Sequence, residues 1–89
     1  MDEFKRVATT SERLKEALTL LGKKQIDISK ETGIDRGSIS NYLSGRYEPK
    51  FLATKKLAKS LNVAEMWLVG FDVPRERGVV GSKREEMND

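Results

Sequence analysis

Apolar side chains recur through the first two thirds of the chain at the three- and four-residue spacing of amphipathic helices. Thr9 and Glu12 form the pattern of a capping box, and Gly22 suits a left-handed helix stop. The apolar positions between them share one face of a helix: Leu14, Ala17, Leu18 and Leu21. The pattern therefore predicts a first helix that begins near Thr9 and ends before Gly22.

Two short helices separated by a glycine are expected next. Residues 24–32 carry a brief helical pattern that Gly33 ends, and Asp35 can cap a third helix that begins near Arg36 and stops at Ser44-Gly45. The expected core residues of this part are Ile28, Ile34, Ile39 and Tyr42. The buried stripe is narrow, so most of the third helix is left for contacts outside the protein.

A fourth helix is predicted after Pro49 and a short fifth one through Met66, Trp67 and Leu68, with stops at Asn62 and Gly70. The apolar side of the fourth helix is formed by Leu52, Leu57, Ala58 and Leu61, and its polar side by Lys55, Lys56 and Lys59. The expected core comprises Leu14, Leu18, Ile28, Ile34, Ile39, Leu57, Leu61 and Trp67. Because no two-residue alternation is sustained, we predict an all-α fold, a compact bundle of about five short helices that contains a helix-turn-helix.

Composition narrows the possible functions. A chain of 89 residues with 37% hydrophobic content can close one modest core. It contains no cysteine and no histidine, which removes disulfides, thiolate metal sites and the usual imidazole base. We expect no cofactor and no bound metal. No apolar run approaches the roughly 18 residues of a membrane span, so the sequence predicts a cytoplasmic protein without a membrane contact.

The charge is concentrated in the middle of the chain. Residues 23–59 carry nine basic and four acidic side chains, a net charge of +5, whereas residues 1–22 are neutral and residues 60–89 have a net charge of −2. A positive field of this kind favours a polyanionic partner, although a solvated lysine-rich face has the same composition.

The last part of the chain differs in character from the rest. After Gly70 come Pro74, more glycines and many charges, with few apolar residues. We expect Phe71 and Val73 to pack back onto the helices and the remainder to be mobile. The sequence thus predicts a helix-turn-helix domain over residues 1–72 and a flexible tail or truncated linker over residues 73–89. It does not tell whether the chain is complete.

Two short helices joined at Gly33 are typical of a helix-turn-helix, whose second helix enters a DNA major groove. The outward positions of the third helix are Arg36, Gly37, Ser38, Ser40 and Asn41. An arginine can bind guanine through two hydrogen bonds, and an asparagine can bind adenine in the same way. Gly37 is unusual inside a helix. It either lets the helix approach the groove closely or is a tolerated first-turn glycine.

Residues from about Ser11 to Gly70 resemble the Xre/Cro-type helix-turn-helix family of phage repressors and related bacterial regulators. The resemblance is carried by the segments KKQIDISKETGIDRGSISNYLSGRYEP and LATKKLAKSLNVAEMWLVG. The run AEMWLVGFDVP is similar to repressors of Gram-positive phages and prophages. One departure is that several family members pair an arginine with a glutamate where this chain has Leu18 and Leu43.

The resemblance implies roles for individual residues. Gln25 matches a glutamine that bonds a DNA phosphate and can brace the first side chain of the recognition helix, here Arg36. The positions that match base contacts are Arg36, Gly37, Ser38 and Asn41. The positions that match or lie near backbone contacts are Lys24, Gln25, Ser40, Ser44, Arg46, Tyr47 and Lys50. Each lysine is also compatible with an ordinary solvated charge, and Gln25 with an ordinary first-turn polar residue.

The function predicted from these features is a sequence-specific, double-stranded DNA-binding transcriptional regulator, a phage or prophage repressor or its N-terminal DNA-binding domain. The expected partners are a palindromic operator and a second copy of the chain, in a weak homodimer or a dimer formed on DNA. An antitoxin with the same DNA-binding module is the alternative, but VVGSKREEMND lacks the apolar stripe of a toxin-binding tail. An enzyme is not expected, because pairs such as Glu12 and Glu16 have surface spacing and no companion base.

Overall fold

Five helices account for the regular structure of residues 5–77, the part of the chain that a computed structural model describes. They are α1 (Thr10–Leu21), α2 (Gln25–Thr32), α3 (Arg36–Ser44), α4 (Phe51–Leu61) and α5 (Glu65–Leu68). These residues contain no β-strand; two isolated bridges, Arg6 with Phe71 and Val63 with Glu76, are the only β-type pairings among them. The predicted all-α bundle is confirmed.

The ends of α1 follow from its sequence. The Thr9 hydroxyl accepts a hydrogen bond from the Glu12 amide at 3.1 Å, and the Glu12 carboxylate accepts one from the Thr9 amide at 2.9 Å. Gly22 follows the helix with φ at +66°, in the left-handed region that glycine favours. The predicted capping box and the predicted left-handed helix stop are therefore both confirmed.

The turn between α2 and α3 is held by short-range hydrogen bonds. Gly33 has φ at +80°, and its amide donates to the carbonyl of Ser29 at 2.8 Å. The Ser29 hydroxyl donates to the Ile34 carbonyl at 2.7 Å, and the Ile34 amide donates to the Thr32 hydroxyl at 3.1 Å. These bonds fix the direction in which α3 leaves the turn.

The core lies among the five helices: α1 packs against α3, α4 and α5, and α2 packs against α3 and α4. Its buried apolar residues are Leu14, Ala17, Leu18, Ile28, Ile39, Leu57, Ala58, Leu61, Val63, Trp67 and Leu68. Ile34, Tyr42 and Leu43 are partly buried against it. Arg13 lies 4.6 Å from the centre of the Trp67 ring and donates to the Trp67 carbonyl at 2.9 Å, which supports the predicted core position of this tryptophan.

Two apolar positions of the predicted stripes are not buried. Leu52 is 62% exposed because its five-residue spacing from Leu57 places it about 140° away around α4. Leu21 is 47% exposed because it is the last residue of α1, where the helix ends beside the core. The placement of Leu52 on the same side of α4 as Leu57 is wrong, and Leu21 continues the apolar spacing of α1 without being buried; neither residue was part of the expected core.

The N-terminal segment is tied to the end of the bundle. The amides of Val7 and Ala8 donate to the Gly70 carbonyl at 2.8 and 3.2 Å, and the Asp72 amide donates to the Lys5 carbonyl at 2.9 Å. Gly70 closes α5, as predicted: its φ is +107°, its amide donates to the Trp67 carbonyl at 2.9 Å, and the Phe71 amide donates to the Met66 carbonyl at 3.1 Å. The same glycine lies directly against Ala8.

Contacts with the helices continue to the last described residues. Val73 packs against the core, as expected. The Ala64 amide donates to the Arg75 carbonyl at 2.8 Å, and Arg77 donates to the Val63 carbonyl at 3.2 Å. The expected mobility of the tail falls partly on residues 78–89, which lie outside the described part, and the division at residue 72 stays a prediction. No helix within residues 5–77 combines the length and the apolar character needed to cross a membrane.

Candidate nucleic-acid interface

Helix α3 is fixed at its start by an acidic cap. The Asp35 carboxylate accepts hydrogen bonds from the Ser38 hydroxyl at 2.8 Å and from the Ser38 amide at 3.0 Å. These two bonds, the hydroxyl first, lower the pKa of Asp35 below its ordinary value. The carboxylate is ionised at neutral pH. Because Asp35 caps the helix, Arg36 is the first residue of α3.

The outward face of α3 is set by the burial of Ile39. At about 100° per residue, Gly37, Asn41 and Ser44 lie roughly opposite this side chain, while Ser40 lies to one side. Within residues 5–77, the side chains of Arg36, Ser40 and Asn41 make no hydrogen bond or ion pair. Their donors and acceptors remain available to an outside partner.

Ser38 differs from the other predicted base-contact residues. It is half-buried, and its hydroxyl hydrogen is directed at Asp35. In this arrangement, the oxygen can still accept a hydrogen bond but cannot donate a second one. Ser38 therefore suits a donor on a base edge, such as a cytosine or adenine amino group.

Gly37 lies on the outward side of α3 without a bulky neighbour. A Cβ atom at this position would lie 3.2 Å from the Asp35 Oδ2 atom and within 4 Å of no other atom apart from those of its own helix backbone and its chain neighbours. A side chain here would crowd the capping carboxylate as well as project outward. Both interpretations of Gly37, close approach to a groove and a tolerated first-turn glycine, stay open.

The start of α2 presents the second predicted contact region. Gln25 is the first helical residue and is half-buried, while Lys24 is exposed. The Lys24 amide donates to the Asp27 carboxylate at 2.9 Å, which fixes the first turn. No hydrogen bond joins Gln25 to Arg36 among the described residues, so the predicted bracing between them stays a prediction.

The loop after α3 turns back sharply on the helix. The Asn41 carbonyl accepts hydrogen bonds from the Ser44 hydroxyl and the Arg46 amide at 3.1 and 3.0 Å. The Arg46 guanidinium lies 5.8 Å from the centre of the Tyr47 ring, and Tyr47 is 57% exposed. An arginine and a phenol are thus presented side by side to the solvent.

The structure brings some of the predicted residues together and leaves others apart. One open cleft is lined by Ser38, Asn41, Tyr42, Tyr47, Glu48, Lys50 and Ala53. It joins two predicted base-contact residues to two predicted backbone-contact residues. The remaining residues lie outside this cleft, at the start of α2, along α3 and in the loop after it: Lys24, Gln25, Arg36, Gly37, Ser40, Ser44 and Arg46.

The charges of residues 23–59 are arranged asymmetrically. All four carboxylates in this segment have partners: Asp27 and Asp35 cap helices, Glu31 binds Lys23 at 2.8 Å, and Glu48 binds Arg6 at 3.1 Å. The hydrogen bond from Lys23, followed by one from Ser60, lowers the pKa of Glu31. Seven basic residues of segment 23–59 make no ion pair with any described residue: Lys24, Lys30, Arg36, Arg46, Lys50, Lys56 and Lys59.

Two contacts near the interface were missed by the sequence analysis. Arg6 pairs with Glu48 across 42 residues, and the Ser11 hydroxyl donates to the Leu43 carbonyl at the end of α3. Neither contact follows a local motif. The excess of basic residues in segment 23–59 did not indicate that Glu48 pairs with Arg6 of the N-terminal segment.

Residues 5–77 contain no cluster of acidic side chains that could hold a metal ion. Among curated proteins, no match to the chain was found. A family model described as a helix-turn-helix domain matches residues 11–69, about two thirds of the 89-residue chain. The match runs from the second residue of α1 through α5 and includes the turn between α2 and α3. The chain belongs to this helix-turn-helix domain family, whose members are in general DNA-binding regulators.

Proposed function

We propose that this protein is a sequence-specific, double-stranded DNA-binding transcriptional regulator, and that it acts as a repressor of the phage or prophage type in the cytoplasm. The proposal rests on one observation, the absence of a hydrogen-bond partner for the side chains of Arg36 and Asn41 within residues 5–77. Both side chains lie on a capped helix without a partner inside residues 5–77. Their chemistry matches guanine and adenine edges in the major groove.

Helix α3 enters the major groove in this proposal, and the flanking segments hold the phosphates. The start of α2 contributes Lys24 and Gln25, and the loop after α3 contributes Arg46, Tyr47 and Lys50. Phosphate contacts fix the position of the helix on the duplex, whereas the contacts of α3 with base edges determine the sequence. The unpaired basic side chains around these elements support this division of roles.

We expect the chain to be monomeric or weakly dimeric alone and to pair on a palindromic operator. One recognition helix reads only a few base pairs, so specificity requires two half-sites about 10 base pairs apart or a multiple of that spacing. Sedimentation with and without an operator duplex measures the assembly. A tight dimer at low micromolar concentration in the absence of DNA would contradict this expectation.

The test of the proposed function is a selection of bound duplexes from a random pool, followed by binding profiles of two variants. We expect Arg36→Ala to lose about 1–3 kcal/mol on the selected site and to relax the preference at one base position. Gln25→Ala removes a phosphate contact. It should therefore weaken binding to all sequences nearly uniformly, with a smaller loss at the Arg36 position if the two side chains brace each other.

Both variants are expected to fold, because neither side chain belongs to the core. Circular dichroism checks the helix content of each. If Arg36→Ala kept the wild-type preference at every base position, the assignment of Arg36 to base recognition would be wrong. If the selection enriched no sequence, the proposal of a sequence-specific regulator would itself fail.

A further inference from the structure

We propose that Arg6 is a positioning residue of the DNA interface, which it serves by neutralising Glu48 beside the phosphate-contacting loop. The Arg6 Nη2 atom lies 3.1 Å from the Glu48 Oε2 atom. The inference rests on the proposed function, because a carboxylate at this place matters only if a polyanion approaches it. It adds a residue outside the helix-turn-helix to the interface.

Glu48 is surrounded by residues that are predicted to face DNA. It lines the cleft that also contains Ser38, Asn41 and Lys50. It also lines a second cleft with Ser44, Gly45 and Tyr47. A phosphate held by this loop would therefore approach a carboxylate, and two negative charges at short distance repel each other.

The other three carboxylates of residues 23–59 are neutralised within that segment or by its helix ends. Asp27 and Asp35 accept hydrogen bonds at the starts of α2 and α3, and Glu31 binds Lys23. Glu48 alone among these four depends on a cation from elsewhere in the described chain. Without Arg6, the loop would present an uncompensated negative charge between Tyr47 and Lys50.

The N-terminal segment holds Arg6 in place from behind. Its backbone is bonded to residues 70–72 through the amides of Val7, Ala8 and Asp72. The backbone of Arg6 forms an isolated antiparallel β-bridge with Phe71. A Cβ atom on Gly70 would lie 3.1 Å from the Arg6 Nε atom, so the side chain runs directly along this glycine toward Glu48.

The ion pair adds little to folding, because Arg6 and Glu48 are 44% and 62% exposed. Its effect on DNA binding differs, because it depends on a third charge, that of the phosphate. A phosphate is present only in the complex, so the charge of Glu48 then acts over a distance comparable with the Debye length of about 10 Å at 0.1 M salt. Neutralisation of this carboxylate should therefore change affinity for DNA more than it changes stability.

A double-mutant cycle on a duplex that the wild-type chain binds tests the role of Arg6. We expect Arg6→Met to weaken binding about three- to tenfold at roughly 50 mM salt, for all sequences alike. Arg6→Lys should keep most of the affinity. Glu48→Gln should bind at least as tightly as the wild-type chain, and the double variant R6M/E48Q should recover the affinity that R6M loses.

The cycle separates this role from the alternatives. If Arg6 contacted DNA directly, R6M would cost as much affinity in the E48Q background as alone. If the ion pair were only structural, E48Q would lower both the melting temperature and the affinity. Either result would overturn the inference, as would an R6M variant that binds like the wild-type chain. Failure of the wild-type chain to bind any duplex would instead refute the proposed function.

Two variants control for net charge. Lys59→Met removes one positive charge at the far end of α4, on the side away from the core. Glu16→Gln removes one negative charge from the outer face of α1. We expect each to change affinity by less than about twofold at the same salt. Equal effects of Lys59→Met and Arg6→Met would attribute the loss to net charge and reject a local role for Arg6.

Discussion

Gly70→Ala is expected to destabilise the fold by about 3 kcal/mol or more. The added Cβ atom would lie 2.0 Å from the Ala8 carbonyl oxygen and 2.9 Å from the Ala8 carbonyl carbon, so the backbone must move. The φ angle of +107° is itself strained for any residue with a side chain. Separation of the two segments would break the hydrogen bonds from Val7 and Ala8 to Gly70.

Thermal unfolding measures this loss, and Gly22→Ala is the matched control. Gly22 also has a positive φ, at +66°, but nothing lies within 4 Å of the Cβ atom that alanine would add. We expect the control to lose about 1 kcal/mol from backbone strain alone. For a domain of 60–100 residues, 1 kcal/mol corresponds to about 4–8 °C in the melting temperature. Equal melting temperatures for the two variants would contradict the close approach of Gly70 to Ala8.

The features of the fold that the sequence predicted correctly depend on short-range signals. The capping box at Thr9, the acidic cap at Asp35 and the left-handed stops at Gly22, Gly33 and Asn62 all act within a few residues of the helix end that they determine. A sequence pattern can register such signals because both partners lie in the same window. The apolar periodicity then placed most of the core.

The errors in burial arose because every apolar residue of a helical pattern was placed on one face. Leu21 and Leu52 are apolar residues of predicted stripes, but one ends its helix and the other points away from the bundle. Gly70 closes α5 as predicted, but its close contact with Ala8 was not predicted. The exposure of Leu52 follows from its angle around α4, which the sequence contains, whereas the contact between Gly70 and Ala8 joins distant segments and no periodicity within a single helix contains it.

Some features of the candidate site could likewise be predicted from the sequence, and others could not. The order of Arg36, Gly37 and Asn41 along a capped helix could be predicted from the sequence, and so could the exposed loop that follows. The hydrogen bond that directs the Ser38 hydroxyl at Asp35 could not, since it depends on the rotation of one side chain. The pairing of Arg6 with Glu48 could not either, because it depends on the path of the N-terminal segment.

Binding to duplex DNA is expected to weaken steeply with salt. The net charge of +5 on residues 23–59 should displace condensed counterions from several phosphates. If about four phosphates are neutralised, the affinity should fall about 150-fold between roughly 50 and 200 mM salt, since each contributes about −0.9 to the slope of log affinity against log salt. Fluorescence anisotropy of a labelled duplex across this range measures the slope.

A pair of charge variants then locates the phosphate contacts. Lys50→Met removes a cation that lines the cleft beside Asn41, so we expect the magnitude of the slope to fall by about one. Lys59→Met removes the same charge about 13 Å further along α4, and should leave the slope nearly unchanged. A flat affinity in the wild-type chain would rule out phosphate neutralisation altogether. Equal slopes for the two variants would mean that the field of residues 23–59 acts as a whole, without a defined contact at Lys50.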